Sequence, residues 1–287
     1  VIGCVEMGIQ GKLNAFANSG YFNLAKTMEI TLHDGFDPVS QKQLGRHTGK
    51  PEDFLCYEAF ENAFFAQMRD LVKYQVEVTN VVDTMHARLA PLPFISTITD
   101  DCIDKGVEVQ SGGAKYNYDG IQACGFADVV DSLYSIKKLV FEDKLIGMKK
   151  LIEALDADFE GYEDIRHMCI NVPKYGNDID EVDMLTSKAL QDCAEYCATL
   201  KCGRAGNYSS AGVQPTQTNV AMGEMCWALP SGRKALTPLA DTLSAEQHMD
   251  VNGPLAALHS YGKINHSACT NGTILNMWIS KSDLVVE

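Results

Sequence analysis

The 287-residue chain is 46% hydrophobic and 22% charged with 9 prolines, the composition of a folded globular protein long enough for one large domain or two ordinary ones. Its formal net charge of −14 repels nucleic acid and anionic membrane surfaces, and no Lys/Arg run makes a local exception. No apolar run in the sequence approaches the roughly 20 residues that span a bilayer, so nucleic acid and membrane are both set aside as partners. The ten cysteines follow no regular spacing, unlike a secreted disulfide scaffold, and they fit a reducing cytoplasm.

The chain opens on VIGCVEMGIQGK, where Cys4 and Glu6 flank a single valine between Gly3 and Gly8. In an extended segment residues i and i+2 point to one side, so both side chains would face a common space. A thiol beside a general acid or base suits nucleophilic or radical chemistry. A carboxylate raises a thiol pKa by like-charge repulsion, the wrong direction for an anionic nucleophile. That objection disappears for a neutral sulfur radical. On spacing alone, a structural cysteine remains the ordinary alternative.

Further along, Phe22, Ala25, Met28 and Leu32 in SGYFNLAKTMEITLHDG recur at helical spacing, which predicts a helix with Gly35 as its C-cap. DPVSQKQLGRHTGKPED is a polar surface excursion. A long helix follows from FLCYEAF to HARLA, ended by Pro91 and Pro93. The β-prone residues of APLPFISTI predict a strand, and TDDCIDKGVEV a short helix from near Thr99. SGGAKYNYDGIQACG reads as a loop whose glycines lack the spacing of a P-loop or dinucleotide fingerprint.

DVVDSLYSIKKLVF is amphipathic, with Val129, Leu133, Ile136 and Val140 on one face. IGMKKLIEALDADF repeats the helical pattern, VPKYGNDIDEVD is a polar loop, and a long helix then carries Cys193. TQTNVAM, GKINHSA and TILNMWI read as short strands. Strands alternating with helices argue for an α/β architecture in one continuous domain.

Cys193, Cys197 and Cys202 read C-x3-C-x4-C, which resembles an iron–sulfur pattern. Val182, Leu185, Ala189, Cys193, Tyr196 and Leu200 recur at helical spacing, however, so packing on an amphipathic helix explains the cysteines better. The spacing also differs from the C-x3-C-x2-C of radical-SAM clusters. The seven histidines are scattered without an H-x3-H or HExxH pair, and no metal site is indicated.

GCVE, then GK, then GYFNLAKTMEITLHDGFDP together resemble the active-site segment of the glycyl radical enzymes, the pyruvate formate-lyase-like family. Within it the likeness is to the branch of choline lyase, glycerol dehydratase and hydroxyproline dehydratase. It continues in family order through APLPFISTITDDCIDKG, GGAKYN, DSLYSIKKLVF, PKYGNDIDEVD, SGRKALTPLAD, NGPLAAL and NGTILN, from Gly3 to Asn276. The resemblance implies a ten-stranded α/β barrel with the GCVE loop at its centre. Residues 1–287 would form a single partial domain, the C-terminal half of that barrel.

By the same resemblance Cys4 matches the cysteine that becomes a thiyl radical and takes a hydrogen atom from the substrate. Glu6 matches the general base that removes a hydroxyl proton from the substrate radical. The family's radical-bearing glycine lies near its C-terminus in a motif like RVxGY. Gly20-Tyr21, Gly161-Tyr162 and Tyr261-Gly262 lack that context, and the first of these reads as part of the first helix. The glycyl radical is therefore expected on a residue outside this chain, installed by a radical-SAM activating enzyme, with no other cofactor bound directly. The isolated chain is expected not to be activatable, and the resemblance implies a homodimer.

The residues after GK bear on the substrate. Diol- and choline-type members carry a His-Asp pair there, and in that alignment Ala17 replaces the histidine and Asn18 the aspartate. An amide exchanges hydrogen bonds but is no anionic partner for a diol or an ammonium, which weighs against glycerol, propanediol and choline. Pyruvate formate-lyase itself has paired cysteines and no glutamate here. The hydroxyproline-dehydratase pattern has a tyrosine after a glycine just before the helix, the place of Tyr21. GFDPVSQKQLG and LDADFEGYE resemble it too, whereas GCVEMG departs from its GCVETG.

Asn18 and Tyr21 are thus candidate substrate-binding residues, with a first-turn aromatic packing on the barrel as the other reading of Tyr21. The expected function is a thiyl-radical lyase that eliminates water from a small polar, hydroxyproline-like substrate. The alternatives are lyases of the choline, sulfonate or arylacetate type, or a catalytically silent homologue.

Overall fold

The computed structural model describes residues 8–204, 208–215 and 217–279. Strand β1 (Leu13–Asn23) runs straight into helix α1 (Leu24–Thr31), followed by a small hairpin of β2 (Phe36–Asp37) and β3 (Lys42–Gln43). The 33-residue helix α2 (Tyr57–Leu89) leads through two short helices, α3 (Pro93–Thr97) and α4 (Cys102–Lys105), to strand β4 (Tyr116–Cys124). Helix α5 (Phe126–Ile136) continues as a π-helical segment over 137–142 and is followed by α6 (Met148–Asp156), α7 (Glu163–Asn171) and α8 (Asp180–Cys197). Strand β5 (Ser209–Gly212), α9 (Thr218–Gly223) and α10 (Pro254–Gly262) complete the order.

The architecture is α/β. β1, β4 and β5 form a parallel sheet in that order, with β4 central, and β2 pairs with β3 apart from it. Parallel neighbours need long crossovers, and α2 and α8 lie within the two that this sheet uses. One sheet face carries Phe22, Ile121, Ala123 and Ala211, all buried in a single core with side chains from α1, α2, α5 and α8. Full burial of a phenylalanine or isoleucine side chain stabilises the fold by about 1.5–3 kcal/mol relative to exposure, which fixes which face turns inward. Among the described residues, no helix is long and apolar enough to cross a membrane.

Several local expectations need correction. The first helix begins at Leu24, because Asn23 adopts extended backbone and its Oδ1 accepts the Lys26 amide at 3.0 Å as an N-cap. Tyr21 and Phe22 therefore belong to β1, and Gly20-Tyr21 is not helical. Phe22 matched the helical spacing only because it enters the same core from the strand.

SGGAKYNYDGIQACG is no loop, since its second half is β4, paired on both edges. Within it Gly120 is needed where the Ala17 carbonyl and Asn271 approach the sheet closely, a tertiary demand that overrides propensity. Gly125, with φ +77°, then turns β4 directly into α5.

PFIST is helical instead of extended, with Pro93 in its first turn and Ser96 N–H bonded to Leu92 O at 3.0 Å. TQTNVAM contains α9, GKINHSA spans the end of α10 and a single turn at His266–Ala268, and TILNMWI contributes only a bridge from Thr273 to Val213. Short apolar runs do not discriminate strand from helix. Helix α7, whose Ile165, Met168, Cys169 and Val172 recur at helical spacing, and the small-residue strand β5 lie outside the elements expected from the sequence.

Helix α5 differs in another way. Val129, Leu133 and Ile136 are buried as their spacing predicts, but Asp128, Asp131, Ser132 and Ser135 on the polar side are buried as well. Distant loops satisfy part of this polar surface, while Asp128 Oδ1 and Asp131 Oδ2 have no hydrogen-bond partner among the described residues. Asp131 Oδ1 accepts Tyr175 N–H at 2.8 Å, Asp128 Oδ2 accepts Ala240 N–H at 2.7 Å, and Ser132 Oγ accepts Ser231 N–H at 3.1 Å. The PKYG, SGRK and PLAD stretches are thereby held on one internal helix.

Candidate active site

Strand β1 is irregular where the candidate residues lie. Phe16 pairs with Asp119 and Gly20 with Ile121, so Ala17, Asn18 and Ser19 stand against Gly120 alone. This bulge has two extra residues, and Asn18 is its middle position. Past the bulge Tyr21 pairs with Gln122, which pairs in turn with Gly212. Tyr21 is 38% exposed while the adjacent Phe22 is 6% exposed, so the aromatic ring stands on the sheet face away from the helical core. Tyr21 is thus not a first-turn helix residue. Cys4 and Glu6 lie outside the described residues.

Beside Tyr21, on the same face, three neutral amides converge. Asn271 Nδ2 and Gln122 Nε2 donate to the Ala17 carbonyl oxygen at 2.7 and 3.0 Å. Gln122 Oε1 accepts Gln214 N–H at 3.2 Å, and Gln214 Nε2 donates to Asn271 O. All three side chains are buried. Gly120 and Gly212 make the room: a Cβ at Gly120 would overlap the Ala17 oxygen and Asn271 Nδ2, and one at Gly212 would press on Gln122. Sequence reasoning missed these residues, having placed 111–125 in a loop. The available signal was a pair of glycines, Gly120 and Gly212, each two residues before a buried glutamine, which is legible only once the strands are paired.

The opposite face holds a buried ionic group. Arg204 lies 2.8 Å from Asp83 Oδ1 and 3.4 Å from Asp119 Oδ1, and its guanidinium covers the Phe16 ring at 5.5 Å. Burial, reinforced by the Asp83 carboxylate and opposed by Arg204, pushes the Asp119 carboxyl up to about 7. A second group surrounds α5. The Lys174 ammonium, itself buried, donates to Cys169 O at 2.7 Å and Ser231 O at 2.9 Å, and burial pushes Asp131 up to about 7 and Glu246 up to about 8.

Among the described residues, the cysteines of the C-x3-C-x4-C run do not come together as a group of three possible ligands. Cys193 and Cys197 sit in the hydrophobic core on α8, while Cys202 lies apart and donates from Sγ to Arg204 O at 3.7 Å. Asp178, Asp180 and Asp183 are close enough to share an ion, but the Lys263 ammonium already pairs with all three at 2.6, 2.6 and 2.9 Å.

Residues 1–223 match the model of the pyruvate formate lyase-like family, and the chain belongs to that family of glycyl radical enzymes. It is 39% identical over 281 residues to the trans-4-hydroxy-L-proline dehydratase of Clostridioides difficile, covering 98% of this chain and 35% of that protein.

Among solved structures, it resembles the glycerol-bound form of the glycerol dehydratase from Clostridium butyricum with a TM-score of 0.92 and 40% identity, over 95% of this chain and 34% of that one. It also resembles the hydroxyproline dehydratase of Clostridioides difficile with its substrate trans-4-hydroxy-L-proline bound, at a TM-score of 0.91 and 38% identity, over 95% and 34% of the two chains. The chain spans about a third of the length of these relatives.

Proposed function

We propose that this chain is part of a glycyl radical dehydratase that removes water from a small, polar, hydroxyproline-like substrate. The observation that carries the reading is the 39% identity to trans-4-hydroxy-L-proline dehydratase over 98% of the chain, joined to a tyrosine on the open sheet face. Residues 1–287 form one partial domain, the C-terminal half of a ten-stranded barrel, and β1, β4 and β5 are three of its strands. The open face then lines the barrel interior, where Asn18 and Tyr21 hold the substrate by hydrogen bonds and ring contact.

In this reading Cys4, as a thiyl, takes a hydrogen atom from a substrate carbon. Glu6 takes a proton from the heteroatom on the radical carbon, a second hydroxyl in a diol or the ring nitrogen in hydroxyproline, and the neighbouring C–O bond breaks. The departing hydroxide leaves as water with that proton, and the product radical recovers its hydrogen from Cys4. The sulfur is thus restored and the net change is loss of water. A glycyl radical, on a residue outside this chain and installed by a radical-SAM activating enzyme, supplies the oxidation of Cys4 to the thiyl. The isolated chain is inactive, and the full-length protein is a cytoplasmic homodimer. Closure of the barrel keeps water from the radical intermediates.

A diol dehydratase is the second reading, favoured by the likeness to glycerol dehydratase. Asn18 at the aspartate position of the diol pattern weighs against it. The deciding experiment is anaerobic turnover by the activated full-length protein, comparing hydroxyproline, glycerol, choline, isethionate and arylacetates. Dehydration of hydroxyproline is the expected result. Turnover of glycerol alone selects the second reading, and CO2 release from an arylacetate alone defeats both.

A further inference from the structure

The bulge in β1 leaves the Ala17 carbonyl turned away from the regular ladder, and a buried carbonyl must find donors elsewhere. It finds two, from residues 105 and 254 positions away: Gln122 Nε2 at 3.0 Å and Asn271 Nδ2 at 2.7 Å. Both donors belong to side chains with no exposed surface. Each is braced in turn. Gln122 receives Gln214 N–H at 3.2 Å on its oxygen, and Asn271 N–H is held by Ala211 O at 3.1 Å while Asn271 O accepts from Gln214 Nε2.

Asn271 Oδ1 has no hydrogen-bond partner among the described residues, so the Ala17 oxygen alone orients that amide. The three amides bring no charge to the face, and two side-chain-free positions, Gly120 and Gly212, are given over to fitting them. A bulge could be stabilised locally. This one is fixed by three separate segments of the chain.

We propose that Gln122 and Asn271 act as positioning residues: together they clamp the Ala17 carbonyl and thereby set where the next bulge residue, Asn18, and Tyr21 beyond it meet the substrate. The inference rests on the reading of Asn18 and Tyr21 as substrate-binding residues. The clamp controls binding, and the hydrogen-atom and proton transfers lie outside its reach. Losing one arm leaves a buried carbonyl half-satisfied and lets the bulge relax. Placement errors of that kind weaken substrate recognition before they alter the reacting centre.

The test uses full-length protein activated anaerobically, with Gln122→Met, which keeps the side-chain volume, and Asn271→Ala. Two measurements are made on each, steady-state turnover of the accepted substrate and hydrogen exchange of the 13–23 segment without substrate. The clamp predicts faster exchange in that segment, a KM raised about tenfold, and a kcat within about threefold of the parent, on the scale of one lost buried hydrogen bond. The glycyl radical signal per protomer stays at the parent level.

Unchanged exchange in both variants overturns the clamp. So does faster exchange with an unmoved KM, or a fall in kcat alone. Asn18→Ala and Tyr21→Phe are assayed alongside. If they raise KM while the clamp variants do not, the site reading survives and only the clamp fails. If they leave KM unmoved, the site reading fails and the clamp with it. Should Asn271→Ala not fold, Gln122→Met carries the result.

Discussion

Arg204 Nη2 lies 2.8 Å from Asp83 Oδ1, with both side chains almost wholly removed from solvent, and this pair ties α2 to the segment that enters β5. Asp119 from β4 completes the group at 3.4 Å from Arg204. Arg204→Met would leave two buried carboxylates without a cation, which costs about 3–5 kcal/mol. A large fall in the thermal midpoint of the full-length protein is expected, with Asp83→Asn partly restoring it in the double variant. An Arg204→Met protein that melts like the parent would show that the pair is incidental.

The same group gives the protein a pH signature. Burial and the Asp83 carboxylate push Asp119 up to about 7, whereas an aspartate in an unfolded chain titrates near ~3.9. The folded state therefore holds an extra proton between these values. The stability tied to that proton is fully present below about 4 and is lost as pH rises through about 7. Asp119→Asn keeps the neutral form at every pH, so its thermal midpoint should vary less than the parent's between about pH 5 and about pH 8. Equal slopes in the two melting series would contradict the assignment.

Two glycines of adjacent strands should respond differently to an added methyl group. At Gly120 a Cβ meets backbone, the Ala17 carbonyl, as well as Asn271. At Gly20 the three nearest atoms all belong to the Gln75 side chain, which can swing aside. Gly120→Ala is expected to destabilise by about 1–3 kcal/mol or to prevent folding, and Gly20→Ala by clearly less. Denaturant titration of both proteins checks the order, and the reverse order would mean that the bulge is not built as described.

The chemistry assigned to Cys4 and Glu6 separates by kinetics. Cys4→Ser should abolish turnover while the activating enzyme still generates a glycyl radical, read by EPR. Glu6→Gln should lower kcat by about 10²–10⁴-fold, the usual contribution of a positioned base. Substantial turnover by Cys4→Ser would restore the structural reading of that cysteine.

The sequence alone reached the family, because GCVE and the landmarks after it stand in family order, and order survives without coordinates. It also reached the long helix α2 and the buried stripe of α5, where many apolar positions repeat at one period. The role of Cys193 and Cys197 as packing on α8 was legible for the same reason.

Other features were not legible because their causes lie far away in the chain. YNYDGIQAC is a strand since β1 and β5 flank it, and nothing in its own composition demands that. Tyr21 moved from helix to strand because one asparagine cap starts α1 two residues later. Gln122, Gln214 and Asn271 acquired a shared task only when three segments met at one carbonyl oxygen. Local periodicity records which residues seek the core. Which backbone group is left without a partner, and which distant amide supplies one, is decided only when the tertiary structure closes.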